Sequence, residues 1–243
     1  RNATAAAYEQ ALIFFRRGDY AEAMAQAKNL SATGTVEQDR CWLLAQAAEE
    51  MKRPDEAMDF YRQIREKFPD GERAPAASFR LGRLLQDAGR LEDASKVFRE
   101  LAGRYAGSEL APQALFSSGY CRTKLGQDEE ALKDWSALVD KYPKHPQVAE
   151  VLYQKALAEI RLQRDKEAQD TLRGFLDRFP DSNLAADAWY RLGLLKERAG
   201  DIAAAEKSMK AGLESKPGKE LRDQIRYRQA AVLQKLDKPA EAA

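Results

Sequence analysis

The fold is decided by residues 181–217, which read DSNLAADAWYRLGLLKERAGDIAAAEKSMKAGLESKP. Trp189 and Leu192 begin a set of apolar residues at the three- and four-residue spacing of one helix face. Gly200–Asp201 is typical of a turn, and apolar residues resume after it with the same spacing. Lys216–Pro217 ends this second segment, because the residue before a proline avoids the α-helical region. The stretch therefore predicts two helices joined by a tight turn.

The same pattern recurs along the whole chain with a period of 37 residues. An alanine in the second predicted helix returns every 37 residues from Ala57 to Ala242, and Ala23 precedes that column by 34 residues. A small residue in the first predicted helix returns in parallel, which lets the two helices approach closely. Recurrence of this kind is the signature of stacked helical repeats. We divide one solenoid domain, 1–243, into approximate repeats 4–34, 35–71, 72–108, 109–145, 146–182, 183–219 and a partial repeat, 220–243.

The composition supports an all-α chain. The 243 residues include 42 alanines but only 16 valines, isoleucines and threonines, and alanine favours helices whereas β-branched residues favour strands. No apolar stretch reaches the roughly 18 residues of a membrane-spanning helix. Because the 40 basic and 39 acidic residues leave a net charge of +1, nothing indicates a nucleic-acid partner. We predict a right-handed α-solenoid of about thirteen or fourteen helices.

The repeat has a recognisable motif: Trp189-Tyr190-Arg191-Leu192-Gly193, then Gly200-Asp201, Ala205 and Pro217. This motif resembles that of the tetratricopeptide repeat (TPR) family, and the resemblance covers essentially the whole chain. The family's usual repeat is about three residues shorter, and we expect the additional residues after the proline to lengthen the next first helix. The longer form, with its Phe-Pro-Asp-Ser break, resembles bacterial envelope members of the family. These are the Tol–Pal-associated periplasmic coordinator and the outer-membrane assembly lipoprotein types.

No motif for catalysis or metal binding is present in the sequence. The phosphate-binding, dinucleotide-binding, zinc-protease and serine-hydrolase patterns are all absent. The single histidine, His145, lies in a break between repeats with no nucleophile nearby in sequence, so a solvated loop side chain is the favoured interpretation. We therefore predict no enzyme activity, no catalytic residue, no cofactor and no metal site.

The two cysteines, Cys41 and Cys121, lie in apolar columns two repeats apart. Four helix layers of about 8–10 Å each would separate them, whereas a disulfide needs Cα atoms within about 7 Å. We predict two free, buried thiols, which are compatible with the cytosol and also with a periplasm.

One aromatic residue per repeat forms an unbroken column, the aromatic stripe: Tyr8, Trp42, Phe79, Phe116, Tyr153, Tyr190 and Tyr227. The family's geometry implies that it lies toward the concave side of the first helices. The simpler interpretation is ring packing between successive first helices, and the alternative is a ladder of partly exposed rings that anchors a partner. The partner-binding residues that we predict in this concave groove are Phe79, Arg80, Arg83, Gln86, Phe116, Tyr120, Tyr153 and Tyr190.

These observations favour a non-catalytic scaffold that binds a protein or peptide. Its predicted role is to assemble or coordinate a bacterial cell-envelope complex, in the periplasm or at the outer membrane. Two alternatives stay open, namely a cytosolic peptide-binding adaptor and the TPR domain of a larger secretion protein or enzyme. Because the chain starts at Arg1 and ends within a repeat, we expect it to be part of a longer protein. The oligomeric state is left open.

Overall fold

The computed structural model describes residues 2–236, with side chains from residue 4, and this range contains thirteen α-helices and no strand. The predicted all-α class is therefore confirmed, whereas Ala242 and the second helix of the partial repeat lie outside the described residues. The helices are α1 (Asn2–Arg17), α2 (Tyr20–Lys28), α3 (Gly34–Glu50), α4 (Pro54–Lys67), α5 (Ala74–Asp87), α6 (Leu91–Arg104), α7 (Leu110–Lys124), α8 (Asp128–Lys141), α9 (Val148–Arg161), α10 (Asp165–Arg178), α11 (Ala185–Arg198), α12 (Ile202–Glu214) and α13 (Lys219–Lys235).

The chain forms two compact units, Arg1–Gly126 and Gln127–Ala243. Unit 1 contains α1 to α7, and unit 2 contains α8 to α13. Within each unit every helix packs against the next helix along the chain. Some first helices also contact the first helix of the following repeat, as α5 contacts α7 and α11 contacts α13. Contacts restricted to neighbours are those of an α-solenoid.

The tight turn inside each repeat requires a left-handed backbone at one position. The residues in this column have φ between 58° and 85° and are Gly18, Lys52, Gly89, Gly126, Gln163 and Gly200. Glycine adopts this conformation without steric cost, whereas an L-residue pays about 1–2 kcal/mol because its Cβ approaches the following carbonyl oxygen. Lys52 and Gln163 therefore carry strain that the other four turns avoid.

Replacing Lys52 or Gln163 with glycine is expected to raise the free energy of unfolding by about 0.5–1 kcal/mol each. The relief of left-handed strain exceeds the additional backbone entropy that glycine brings to the unfolded chain. Urea unfolding followed by circular dichroism measures the change. Gly200→Ala is the opposite control and should destabilise, so a loss of stability in both glycine variants would contradict the turn geometry.

A turn, and not a longer helix, accommodates the three additional residues of the 37-residue repeat. Helix α11 begins only at Ala185 and has 14 residues, so the expectation of a longer first helix is wrong. The Ser182 hydroxyl oxygen accepts a hydrogen bond from the backbone N–H of Leu184 at 3.2 Å. Local bonds of this type compete with the helix for backbone donors, which explains why residues 181–184 stay outside it.

His145 occupies the same position of the repeat as Ser182. Its Nδ1 atom accepts from the backbone N–H of Gln147 at 3.3 Å, as the hydroxyl of Ser108 accepts from Leu110. His145 is therefore a turn residue whose side chain accepts the same local hydrogen bond as a serine hydroxyl at this position.

Small residues allow the two helices of a repeat to meet, as the repeat pattern predicts. A Cβ atom on Gly82 would lie 2.6 Å from the ring of Phe98, one turn beyond the column alanine Ala94. On Gly193 it would lie 3.2 Å from the carbonyl oxygen of Ala205. No larger residue fits at Gly82 unless the Phe98 ring moves.

Both cysteines are free and buried, as predicted. Burial raises the pKa of the Cys121 thiol to about 11, and burial together with the nearby Glu37 raises that of Cys41. Both thiols are therefore protonated and unreactive near neutral pH.

Candidate functional site

Three rings of the aromatic stripe, those of Trp42, Phe79 and Tyr153, lie against a ring on the second helix of their own repeat. Trp42 meets Tyr61 with ring centroids 5.5 Å apart, and Phe79 meets Phe98 at 5.6 Å. These ring pairs lie within one repeat, whereas the simpler expectation was packing between successive first helices. The contacts of Tyr8 and Tyr153 with the next first helix agree with that expectation in part. Trp42 and Phe79 are only half-buried, so each of these two rings keeps one edge outside this contact.

Two stripe tyrosines also connect consecutive repeats through their hydroxyl groups. Tyr8 donates to the backbone oxygen of Asp39 at 3.4 Å, and Tyr153 donates to the carboxylate of Asp187. Asp39 and Asp187 occupy the same position of the repeat. Burial, followed by the charge of Asp39, raises the pKa of Tyr8 to about 12, so its hydroxyl stays a donor.

Arginine–glutamate pairs form a second recurring link between repeats. Arg80 Nη1 lies 3.5 Å from Glu49 Oε2, and Arg228 Nε lies 2.7 Å from Glu197 Oε2. In both pairs the arginine follows a stripe residue, and the glutamate lies seven residues after the stripe residue of the preceding repeat. Burial alone would raise the pKa of Glu197, but its bonds to Lys235 and Arg228 bring the net pKa below the usual value.

Several of the predicted residues line a cavity of ≈ 460 Å³ in unit 1, which we call the α5 groove. Its apolar walls come mostly from α3 and α5, and its polar groups are two arginines and two carboxylates. The complete lining is Trp42, Glu49, Ala76, Phe79, Arg80, Arg83, Leu84, Asp87 and Leu110. The structure thus brings three of the eight predicted residues, Phe79, Arg80 and Arg83, to one cavity.

Three further predicted residues lie in unit 1 but outside the lining of the α5 groove. Tyr120 is 42% exposed, with the ammonium of Lys124 5.4 Å from its ring centre. Phe116 is half-buried on the same helix, α7. The Gln86 Oε1 atom is buried and has no hydrogen-bond partner among the described residues.

The two predicted residues of unit 2 support the fold. Tyr153 is only 7% exposed, and its hydroxyl lies 2.9 Å from Arg191 Nε, which is also 2.6 Å from Asp187. Tyr190 packs against the buried cluster that includes Met209. Neither ring presents a surface comparable to that of Tyr120, so we place the candidate site in unit 1.

The site predicted from sequence did not include six lining residues of the α5 groove: Trp42, Glu49, Ala76, Leu84, Asp87 and Leu110. A signal existed for Asp87, because it follows Arg83 by four residues and so shares its helix face. Leu110 lies at the start of α7, where no helical periodicity yet fixes a direction.

Within residues 2–236, no group of three or more His, Cys, Asp or Glu side chains is arranged so that it could hold a metal ion. None of the helices in this range combines the length and apolar character that a membrane crossing requires.

Antiparallel helix pairs, a left-handed turn position and small-residue columns define a TPR solenoid. The sequence matches the tetratricopeptide repeat family TPR_6 over residues 42–71. It also matches the YfiO family, described as outer membrane lipoprotein, over residues 78–212, which is more than half of the chain. The chain therefore belongs to the YfiO outer membrane lipoprotein family.

Several solved structures share this fold at low sequence identity. MamA from Desulfovibrio magneticus RS-1 has 17% identity and a TM-score of 0.56, over 71% of this chain and 90% of that chain. A tetratricopeptide repeat protein from Parabacteroides merdae ATCC 43184 has 19% identity and a TM-score of 0.58, over 85% and 76%. YrrB, described as a TPR protein with an unusual peptide-binding site, has 18% identity and a TM-score of 0.57, over 75% and 88%. No curated protein matches the sequence.

Proposed function

We propose that the chain is a non-catalytic scaffold that binds a segment of a partner protein through the α5 groove and the adjacent face of α7. The observation that carries this proposal is the solvent exposure of the Arg83 and Tyr120 side chains. Both side chains are exposed, and Arg83 has no ion-pair or hydrogen-bond partner among residues 2–236. A free guanidinium in the groove lining and an exposed amphipathic ring on α7 are residue types enriched at interface hot spots.

The other predicted residues have supporting roles in this site. Phe79 supplies apolar surface to the α5 groove. Arg80 is held by Glu49, which also accepts a hydrogen bond from the hydroxyl of Tyr61, so it frames the edge of the groove. Phe116 and Gln86 lie on the neighbouring helices α7 and α5. A peptide ligand also agrees with YrrB, a protein of the same fold whose description includes a peptide-binding site.

Membership of an outer membrane lipoprotein family supports a role at the bacterial cell envelope. We propose that the partner is another envelope protein and that the scaffold assembles or coordinates a complex there, in the periplasm or at the outer membrane. This assignment is preferred to a cytosolic adaptor because the family match covers the part of the chain that holds most of the proposed site.

A selection on displayed peptides tests both parts of the proposal. The library tiles the envelope and cytosolic proteins of the source organism, and we expect envelope-derived peptides to be enriched. Arg83→Ala and Tyr120→Ala should each weaken the selected peptides by about 5- to 30-fold, which corresponds to about 1–2 kcal/mol. Fluorescence anisotropy measures the affinities, and circular dichroism checks that the variants are folded.

Lys96→Ala is the matched control, because Lys96 is exposed on α6 and outside the groove lining. The selected peptides should bind this variant with the same affinity as the unmodified protein. Failure to select any peptide would refute the binding function, and enrichment of cytosolic peptides alone would refute the envelope role.

A further inference from the structure

One face of α5 presents three different chemical groups to the α5 groove in a fixed order. Phe79, Arg83 and Asp87 follow one another at intervals of four residues, and all three line the same cavity. With a helical rise of about 1.5 Å per residue, successive groups lie about 6 Å apart along the helix. The groove therefore offers an apolar, a positive and a negative position in line.

The charges at two of these positions are not neutralised inside the protein. Neither Arg83 nor Asp87 has an ion-pair partner within the described part of the chain. By contrast, Arg80 and Glu49 neutralise each other across the same groove. Arg83 and Asp87 are thus the two lining charges left to bind groups of a partner.

An extended peptide matches this spacing. Alternate residues of a β-strand point to the same side and lie about 6.6–6.8 Å apart. Three alternate side chains therefore span about 13 Å, against about 12 Å for the three groups of α5. Long side chains such as Arg and Glu absorb a difference of about 1 Å.

We propose that the α5 groove recognises an extended segment with an apolar, an acidic and a basic side chain at alternate positions. The apolar side chain packs beside Phe79 against Trp42 and Leu110, the acidic one pairs with Arg83, and the basic one pairs with Asp87. This inference rests on the proposed peptide-binding function and adds the chemistry of the partner. Helix α5 fixes the order of the three groups, and either chain direction of the peptide presents that order.

Short synthetic peptides test the order directly. The two cognate peptides contain Phe-Ser-Glu-Ser-Lys and Lys-Ser-Glu-Ser-Phe, one for each chain direction, and the swapped peptides exchange Glu and Lys in each. At this length a peptide does not form a stable helix in water, so binding reports the extended form. We expect at least one cognate peptide to bind 10-fold or more tightly than its swapped counterpart.

A charge-reversed protein provides the decisive comparison. The double variant Arg83→Glu, Asp87→Lys exchanges the two exposed charges on α5 and should invert the preference, so that a swapped peptide binds more tightly than the cognate one. Because both side chains are exposed, the fold should be retained, which thermal unfolding checks.

The outcomes separate this inference from the proposed function. Equal affinity for cognate and swapped peptides would overturn the charge order. The groove would remain a binding site in that case if a library-selected peptide, whose own binding depends on Tyr120, competes with these peptides. Absence of binding by all four peptides, while the library-selected peptide binds, would overturn the inference in the same way. Failure of the library selection itself is the result that removes the proposed function.

Discussion

Gly82→Ala is expected to lower the free energy of unfolding by about 1–3 kcal/mol, although it adds a single methyl group. The new Cβ would lie 2.6 Å from the ring of Phe98, which is fully buried and cannot withdraw without disturbing its own neighbours. Overpacking of this kind outweighs the gain of up to about 1 kcal/mol that alanine brings to a helix interior. Urea unfolding of the purified protein measures the difference.

Gly103→Ala is the matched control for this prediction. Gly103 lies in α6 of the same unit, and a Cβ there would meet nothing within 4 Å. We expect no loss of stability from it. Phe98→Leu should also recover part of the loss caused by Gly82→Ala, since the smaller side chain leaves room for the methyl group. Equal effects of Gly82→Ala and Gly103→Ala would show that the helix pair is packed more loosely than described.

Asp187→Ala is expected to lower the free energy of unfolding by about 1–3 kcal/mol. The change removes the acceptor of the nearly buried Tyr153 hydroxyl and the ion-pair partner of Arg191 at the same time. Arg191 stays partly exposed and can bind water, so most of the cost comes from Tyr153. Thermal unfolding measures the loss.

A double-mutant cycle separates this network from a general surface effect. In a Tyr153→Phe background the cost of Asp187→Ala should shrink, because the hydroxyl that needed the carboxylate is gone. Asp177→Ala, an exposed change in α10, should alter stability by no more than about 0.5 kcal/mol. Strict additivity of the Tyr153 and Asp187 changes would contradict the coupling.

Most of the fold could be predicted from sequence because it depends on local rules repeated many times. The column alanines and glycines report where helices must approach, and turn glycines such as Gly89 and Gly200 report where the backbone must be left-handed. Residues 181–184 were wrongly expected to lengthen the following helix. Helical periodicity gives no information on the Ser182 hydroxyl, which competes for a backbone N–H there. The two free thiols followed from spacing alone.

The candidate site could be predicted only in part, because a helical period gives the direction of a side chain and not its partner. Phe79 and Arg83 share a helix face, so their common groove was accessible to sequence reasoning. The burial of Tyr153 was not, since it depends on Asp187 and Arg191 in the next repeat. Glu49 was missed for the same reason, because its partners Arg80 and Tyr61 lie on other helices.

The arginine–glutamate links between repeats set a rule for how such an array can grow by duplication. Each link takes its glutamate from one repeat and its arginine from the next, as Glu197 and Arg228 show. In a tandem copy of 35–71, Leu43 of the second copy would take the position that Arg80 now occupies. The half-buried carboxylate of Glu49 would then have no cation to pair with. A tandem copy of 183–219 carries both Arg191 and Glu197 at the two linking positions. That segment can therefore follow itself in a longer chain, whereas 35–71 needs a different successor.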